Sequence, residues 1–176
     1  VYTPGGADIS SGSVVLTITA YGIGSCDDYT DQMTLSISES AIAYAGADAD
    51  ICETDVYELS DATASGYAGI TWSTTGDGSF SDPNVVNPVY TPGLTDLNLG
   101  SAILTMTLEG IGSCEDAVDQ MTLQIHTLPV ADAGEGGMIC YGDEFQISGS
   151  DAENYQSLLW TTSGDGSFSD PTILDP

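Results

Sequence analysis

The chain reads TGDGSFSDP at residues 75–83 and SGDGSFSDP at residues 163–171, a separation of 88 positions. The same spacing holds along the whole chain: residues 1–88 laid over residues 89–176 without a gap give 43 identical positions. A period of 88 residues is too long for the common solenoid repeats and suits a small β domain. The sequence therefore predicts β domains in tandem.

Apolar and polar residues alternate along several stretches of each repeat, which is the pattern of strands with one buried face. Leu16 and Ile18 alternate with threonines in the first copy, as Leu104 and Met106 do in the second. This alternation is typical of antiparallel sheets with one face in water, and no segment shows a sustained helical stripe. We therefore expect an all-β fold. The strands expected in one repeat are 43–51, 56–60, 69–74, 85–90, 101–108 and 120–126.

The ends of the apolar runs place one complete unit at residues 41–128. Residues 1–40 would then be the C-terminal half of a preceding unit, and residues 129–176 the N-terminal half of a following one. The register agrees, because the last residue, Pro176, aligns with Pro88, which Val89 follows directly. We interpret the chain as a window of a longer array whose halves are completed by neighbouring material, since half a unit leaves its apolar face and sheet edge uncovered. A complete two-domain protein is the alternative.

Charge excludes several classes of function. The chain of 176 residues has no Lys or Arg and 27 acidic residues, which gives a formal net charge of −27. It therefore lacks the cations that neutralise nucleic-acid phosphates or form a polybasic membrane anchor. No stretch approaches the roughly 18 apolar residues of a membrane span. A hydrophobic fraction of 41% also argues against a disordered acidic tail.

Four short motifs resemble a known family. They are AGAD at 45–48, Trp72 followed by Gly-Asp-Gly at 76–78, NPVY at 87–90 and LTMT at 104–107. Together they resemble the PKD-type immunoglobulin-like repeat, in the form found in giant secreted surface proteins and adhesin filaments of gliding bacteria. The resemblance implies antiparallel β-sandwiches that serve as spacer, stalk or adhesion unit, not as a catalyst. Two features depart from the family pattern: Ser-Thr-Thr stands before Gly-Asp-Gly where Asp-Phe is frequent, and each repeat carries two cysteines.

In such a sandwich the tryptophans are expected to fill the space between the sheets. The glycines of the Gly-Asp-Gly turns are expected to supply turn dihedrals, and the aspartates to bond the turn backbone. These core and turn residues are Trp72, Trp160, Gly76, Asp77, Gly78, Gly164, Asp165 and Gly166. A calcium site at Asp77, Ser79 and Asp82 is the alternative interpretation of the same turn.

The four cysteines, Cys26, Cys52, Cys114 and Cys140, show no zinc-type spacing and recur in pairs, which favours disulfides in an extracellular chain. Three pairings are possible. In an immunoglobulin-like sandwich Cys52 and Cys114 lie in connections at opposite ends, about 25–30 Å apart, whereas a disulfide needs Cα atoms within about 7 Å. We therefore favour an interdomain bridge from Cys52 to the equivalent of Cys114 one repeat further on, with an intradomain bridge as the rival.

Acidic residues gather near the expected junctions between units, and the candidate ligands there are Glu53, Asp55, Glu115, Asp116 and Asp119. One interpretation is a solvated acidic surface, and the other is calcium bound at the junctions.

Catalysis finds little support, because the chain has one His, no Lys or Arg and no nucleophile elbow. We expect a structural segment of an extracellular filament or adhesin stalk that provides length and stiffness for surface attachment. Its partners would be copies of itself or adjacent repeats, and surface glycans are a further option. The alternative function is a carbohydrate-binding accessory module of a secreted hydrolase. Repetition of a whole unit favours extension and multivalent display over a single cleft.

Overall fold

The computed structural model describes all residues from Val1 to Pro176. Its helices and strands, in chain order, are α1 (Gly6–Ser11), β1 (Ser13–Ala20), β2 (Tyr29–Ser36), β3 (Ile42–Tyr44), β4 (Ala49–Cys52), β5 (Tyr57–Glu58), β6 (Thr63–Ser65), β7 (Tyr67–Thr74), β8 (Ser79–Phe80), β9 (Val89–Thr91), α2 (Leu94–Leu99), β10 (Ser101–Gly110), β11 (Ala117–His126), β12 (Val130–Asp132) and β13 (Asp151–Glu153). The chain is therefore an all-β protein, as the alternating pattern predicts. Neither helix has the length and apolar character needed to cross a membrane.

The largest sheet has the strand order β4-β11-β10-β7. Its centre is the antiparallel hairpin β10–β11, in which Leu104 lies opposite Met121. Strand β7 pairs antiparallel with β10, so that Trp72 lies opposite Met106, and β4 pairs parallel with β11. A three-stranded sheet of order β5-β9-β8 and the pair β3-β6 complete this part of the chain.

One hydrophobic core lies among these sheets. Its 13 buried apolar residues all fall between Ala45 and Ile125. The alternating residues Leu104, Met106 and Leu108 of β10 are each 0% exposed, because every second side chain of the strand faces the core. Each fully buried side chain of this size stabilises the fold by roughly 1.5–3 kcal/mol relative to leaving it exposed. The core thus lies inside the range 41–128.

The N-terminal segment, residues 1–40, has the same local structure as the end of this central region. Hairpin β1–β2 pairs Leu16 with Met33, and these are the positions of Leu104 and Met121 less 88. Helix α1 precedes it as α2 precedes β10, and both helices end at a glycine with φ of 70°, Gly12 and Gly100.

The C-terminal segment, residues 129–176, contains fewer strands than its counterpart. Strands β12 and β13 pair as β3 and β6 do, with Ala131 opposite Ala152. Residues 155–162 correspond to β7 in sequence but form no strand. Strand β7 is held by its hydrogen bonds to β10, and no strand pairs with residues 155–162.

Several expected elements differ from the structure. The strand expected at 43–51 is two strands, β3 and β4, separated by a bend at Gly46, whose φ is 102°. The strands expected at 56–60 and 85–90 shorten to β5 and β9, and β6 and β8 were not predicted. The two helices were not predicted either, because each has only six residues, too few to show a helical stripe.

Candidate functional site: a buried aspartate and two open faces

A buried aspartate joins three segments of the central region. Asp96 of α2 is 0% exposed. Its Oδ2 atom accepts hydrogen bonds from the Tyr90 hydroxyl at 2.6 Å, the Gly93 amide at 2.9 Å and the Gly78 amide at 3.1 Å. We call this arrangement of Asp96, Tyr90, Gly93 and Gly78 the Asp96 junction. It ties the Gly-Asp-Gly turn before β8 to strand β9 and to the start of α2.

The glycines of this turn are needed for close packing. A Cβ atom at Gly76 would lie 1.4 Å from Asp96 Oδ1, and one at Gly78 would lie 2.2 Å from the Tyr90 hydroxyl oxygen. Neither glycine has a positive φ. The expectation that they supply special turn dihedrals is therefore wrong, and the physical reason for glycine is the approach of Asp96 and Tyr90.

The aspartate of the turn contacts α2. Asp77 Oδ1 accepts a hydrogen bond from the Thr95 amide at 2.8 Å, so it also bonds backbone outside its own turn. Burial opposes ionisation of Asp77, but hydrogen bonds from the backbone and side chain of Thr95 and from the Asp96 amide outweigh burial and lower the pKa of this carboxyl. Burial, together with the hydrogen bond to Asp96, raises the pKa of Tyr90 to about 12.

The two tryptophans have the same local contacts in both copies. Trp72 Nε1 donates to the Val85 carbonyl at 3.1 Å, and Trp160 Nε1 donates to the Ile173 carbonyl at 3.1 Å. Their rings lie 5.8 Å from Phe80 and 6.0 Å from Phe168, respectively. Trp72 is 3% exposed and lies in the core, whereas Trp160 is only half-buried. The local architecture thus forms without the rest of a core around it.

Each flanking segment contains part of an arrangement equivalent to the Asp96 junction. In the N-terminal segment Asp8 accepts hydrogen bonds from the Tyr2 hydroxyl and, at 2.9 Å, from the Gly5 amide. The bond from Tyr2, followed by that from Gly5, lowers the pKa of Asp8. In the C-terminal segment the turn at 164–166 has the glycines, but a Cβ at Gly166 would meet nothing within 4 Å. The aspartate with two of its donors and the turn glycines therefore lie on different segments.

Both flanking segments expose apolar surface that is buried in the central region. On the N-terminal hairpin Ile18 is 71% exposed and Met33 is 59% exposed, whereas their counterparts Met106 and Met121 are 0% and 1% exposed. The C-terminal segment has an open cavity of about 190 Å³. Its apolar lining includes Ala131, Ala152, Leu158, Trp160 and Leu174. The counterparts of these five residues in the central region, Ala43, Ala64, Ile70, Trp72 and Val86, all belong to the core or pack against it.

Two of the four cysteines, Cys52 and Cys114, lie at the two ends of the central sheet. All four are free thiols in this structure, and Cys114 is partly buried. Cys52 ends β4 opposite His126 at the end of β11. Cys114 lies in the loop before β11, and its sulfur is 3.9 Å from the Ser38 carbonyl oxygen. Cys52 and Cys114 are thus at opposite ends of a ten-residue strand, which spans about 33 Å.

The candidate calcium ligands are divided between the same two ends. Glu53 and Asp55 follow β4, where Glu53 Oε1 accepts from the Leu128 amide at 3.0 Å. Asp116, next to Glu115, accepts from the Gly110 amide at 2.9 Å, and Asp119 accepts from the Ala45 amide at 2.8 Å. No group of three or more His, Cys, Asp or Glu side chains is placed to hold a metal ion. The two groups of acids thus lie apart, at opposite ends of the sheet.

The turn aspartates likewise have backbone partners. Asp82 accepts a hydrogen bond from the Asn84 amide at 2.9 Å, and Asp77 faces Thr95. Sequence reasoning missed Asp96 altogether. The signal was present, because the tyrosine–aspartate pair with a spacing of six residues occurs as Tyr2 and Asp8 and again as Tyr90 and Asp96.

Comparison with known proteins adds no identification. No family model matches the chain, and no curated protein matches it. What the geometry itself defines is an all-β chain with one closed core and two flanking segments that expose their apolar faces.

Proposed function

We propose that this chain is a length of an extracellular filament or adhesin stalk at a bacterial cell surface, built from PKD-type immunoglobulin-like repeats of 88 residues. One observation carries the proposal. The N-terminal segment has the hairpin register and the tyrosine–aspartate pair of the second half of the central region, and the C-terminal segment has the tryptophan and turn contacts of its first half. An array of such units would repeat the same local structure at intervals of 88 residues.

The mechanism of such a stalk is mechanical. Each unit adds about 33 Å, the length of its ten-residue strands. With 27 acidic residues and no Lys or Arg, like charges repel along the array, and salt or divalent ions screen that repulsion. The absence of Lys and Arg also removes every trypsin cleavage site, which suits an exposed fibre.

Calcium is the proposed counter-ion at the junctions. There Glu53 and Asp55 of one unit would approach the counterparts of Glu115 and Asp116 in the next. Carboxylate oxygens are the ligands that calcium prefers. A melting temperature that rises with added calcium and falls with a chelator is the expected result, and an unchanged melting temperature would contradict this part of the proposal.

The stalk proposal is tested by chains of increasing length. Chains that contain one, two and three copies of the 176 residues in tandem are imaged by negative-stain electron microscopy. The expected contour length increases linearly, by roughly 33 Å for each added 88-residue unit. Each added copy contains two such units and adds twice this length. Compact particles whose longest dimension does not grow with copy number would contradict it.

The carbohydrate-binding alternative would need aromatic side chains presented on each unit. Tyr21 and Tyr29 are 80% and 77% exposed on the N-terminal hairpin, but Glu109 and Ala117 take their places in the central region. The aromatic surface is therefore not repeated. Binding of the chain to immobilised glycans, lost on changing Tyr21 and Tyr29 to Ala, would favour the alternative over the stalk.

A further inference from the structure

We propose that two copies of this chain join head to tail, so that residues 129–176 of one copy and residues 1–40 of the next complete one folded unit. Two disulfides close the joint. One links Cys140 of the first copy to Cys114 of the next, and the other links Cys52 of the first copy to Cys26 of the next. The inference rests on the proposed function, because the partner it names is another length of the same array. The central region serves as the template, since there the equivalents of both segments belong to one continuous chain.

The template gives the register of the joint. Strand β7 pairs antiparallel with β10, with Trp72 opposite Met106 and Ile70 opposite Leu108. Subtracting 88 from the β10 positions and adding 88 to the β7 positions places Ile18 of one copy opposite Trp160 of the other. Residues 155–162, which form no strand in this structure, become the edge strand beside β1. The hairpin then covers the open cavity of the C-terminal segment.

The central region also predicts that an arrangement equivalent to the Asp96 junction forms across the joint, with Asp8 in the place of Asp96. Asp8 already accepts hydrogen bonds from Tyr2 and Gly5, as Asp96 does from Tyr90 and Gly93. The remaining donor in the central region is the Gly78 amide, whose counterpart is Gly166 of the other copy. Gly164 and Gly166 leave room for this approach, because a Cβ at either would have no contact closer than 3.8 Å at present.

A cysteine pair follows from two contacts in this structure. Strand β4 runs parallel to β11 with Cys52 opposite His126, so Cys140 of one copy would lie opposite Ser38 of the next, about 4.8 Å away across a ladder. The sulfur of Cys114 lies 3.9 Å from the carbonyl oxygen of that same Ser38. The two thiols therefore meet at the boundary between the completed unit and the central region. The repeat places Cys52 and Cys26 of the next copy in the same way, so both bridges connect the same two chains.

Bridge formation needs an oxidant, and we assign this role to a low-molecular-weight disulfide such as oxidised glutathione. One cysteine thiolate attacks the disulfide and releases one glutathione thiolate. The second cysteine thiolate then attacks the mixed disulfide, forms the protein S–S bond and releases the second glutathione. Two protein thiols are oxidised, and one small disulfide is reduced to two thiols.

The association is tested with variants of the full chain that disable one face each. Ile18→Asp places a charge on the open face of the hairpin, and Trp160→Asp removes the ring from the opposing segment. Each variant alone is expected to be monomeric under reducing conditions, and an equimolar mixture is expected to form dimers but nothing larger, because only one intact joint is possible. Val15→Asp is the matched control: Val15 is 55% exposed on the other face of the same hairpin, and this variant should assemble like the parent chain.

A mixture that stays monomeric by light scattering, while the parent chain assembles, would overturn the proposed joint, and so would a parent chain that remains monomeric. Failure of the joint is distinguishable from failure of the stalk. If tandem chains lengthen linearly but separate copies do not associate, the stalk stands and the joint is wrong. If separate copies associate but tandem chains collapse, the stalk is wrong.

The disulfides are tested by peptide mapping of the oxidised assembly. Cleavage after glutamate separates the cysteines into peptides 1–39, 40–53, 110–115 and 136–144. The expected linked pairs are 110–115 with 136–144 and 40–53 with 1–39. Cys140→Ser should abolish the first link and leave the second. A link between 40–53 and 110–115, or any of these links within a monomeric chain, would overturn the assignment.

Discussion

The central region and its flanking segments have closely related sequences and different structures. Trp72 and Trp160 keep the same hydrogen bond and the same aromatic neighbour, yet only Trp72 lies in a closed core. Met106 is fully buried while its counterpart Ile18 is 71% exposed. Turn contacts and hairpin register are therefore local properties of these sequences, whereas burial and the outer strands depend on the presence of the other half.

The largest difference between the two regions should appear on removal of the tryptophans. Trp72→Ala should lower the free energy of unfolding by about 3–5 kcal/mol, because it leaves a large cavity in the closed core. Trp160→Ala should change the main transition far less, since Trp160 lies outside that core. Urea denaturation followed by circular dichroism, at low concentration under reducing conditions, measures both. Equal losses would show that the C-terminal segment contributes to the same cooperative unit.

Asp96 and Asp8 occupy equivalent positions, but only Asp96 is buried. Asp96→Ala removes an acceptor used by two partly buried amides and the Tyr90 hydroxyl, so we expect a loss of about 3 kcal/mol from groups left without partners. Asp8→Ala removes the equivalent acceptor at an exposed site, where water replaces it, and should cost much less than Asp96→Ala. The same denaturation experiment applies. A cost for Asp8→Ala that matches Asp96→Ala would mean that Asp8 is already enclosed.

The glycines of the two turns provide the third comparison. Gly76→Ala brings a Cβ into Asp96 and should destabilise the central region by about 1–3 kcal/mol. Gly164→Ala meets only the Thr162 hydroxyl at 3.8 Å and should be close to neutral. If the joint proposed above forms, Gly164→Ala should acquire a measurable cost in the assembled state, because Asp8 then approaches it. Denaturation of the monomer and of the assembly distinguishes the two conditions.

These comparisons also show what the sequence could predict. Alternation in residues 14–19 and 101–108 identified β1 and β10, because the alternating pattern is local to each strand, although only β10 buries its apolar face. The β3–β4 bend was missed, since it is held by hydrogen bonds with the distant strand β11: Asp48 accepts from the Thr122 amide, and Asp119 accepts from the Ala45 amide. Asp96 was missed although the tyrosine–aspartate spacing recurs in both copies, because the spacing alone does not show which acid is buried. The role of Gly76 was misassigned because the group that excludes a side chain there lies 20 residues further along the chain.

The smallest expected effect concerns acid. The folded-state pKa of Asp77 lies below its ordinary value, so its ionised form contributes stability above the pKa of the unfolded chain, near 3.9, and this contribution is lost as pH falls through the folded-state pKa. Protonation of the other carboxylates relieves repulsion in a chain of net charge −27 and acts in the opposite direction.

The difference in stability between Asp77→Asn and the parent chain at each pH isolates the contribution of Asp77, because the other carboxylates are the same in both chains. Asp77→Asn should be less stable than the parent chain at pH 6, and the gap should narrow below pH 4. A gap for Asp77→Asn that stays constant from pH 6 to pH 2 would show that the hydrogen bond to Thr95 does not depend on the charge of the carboxylate.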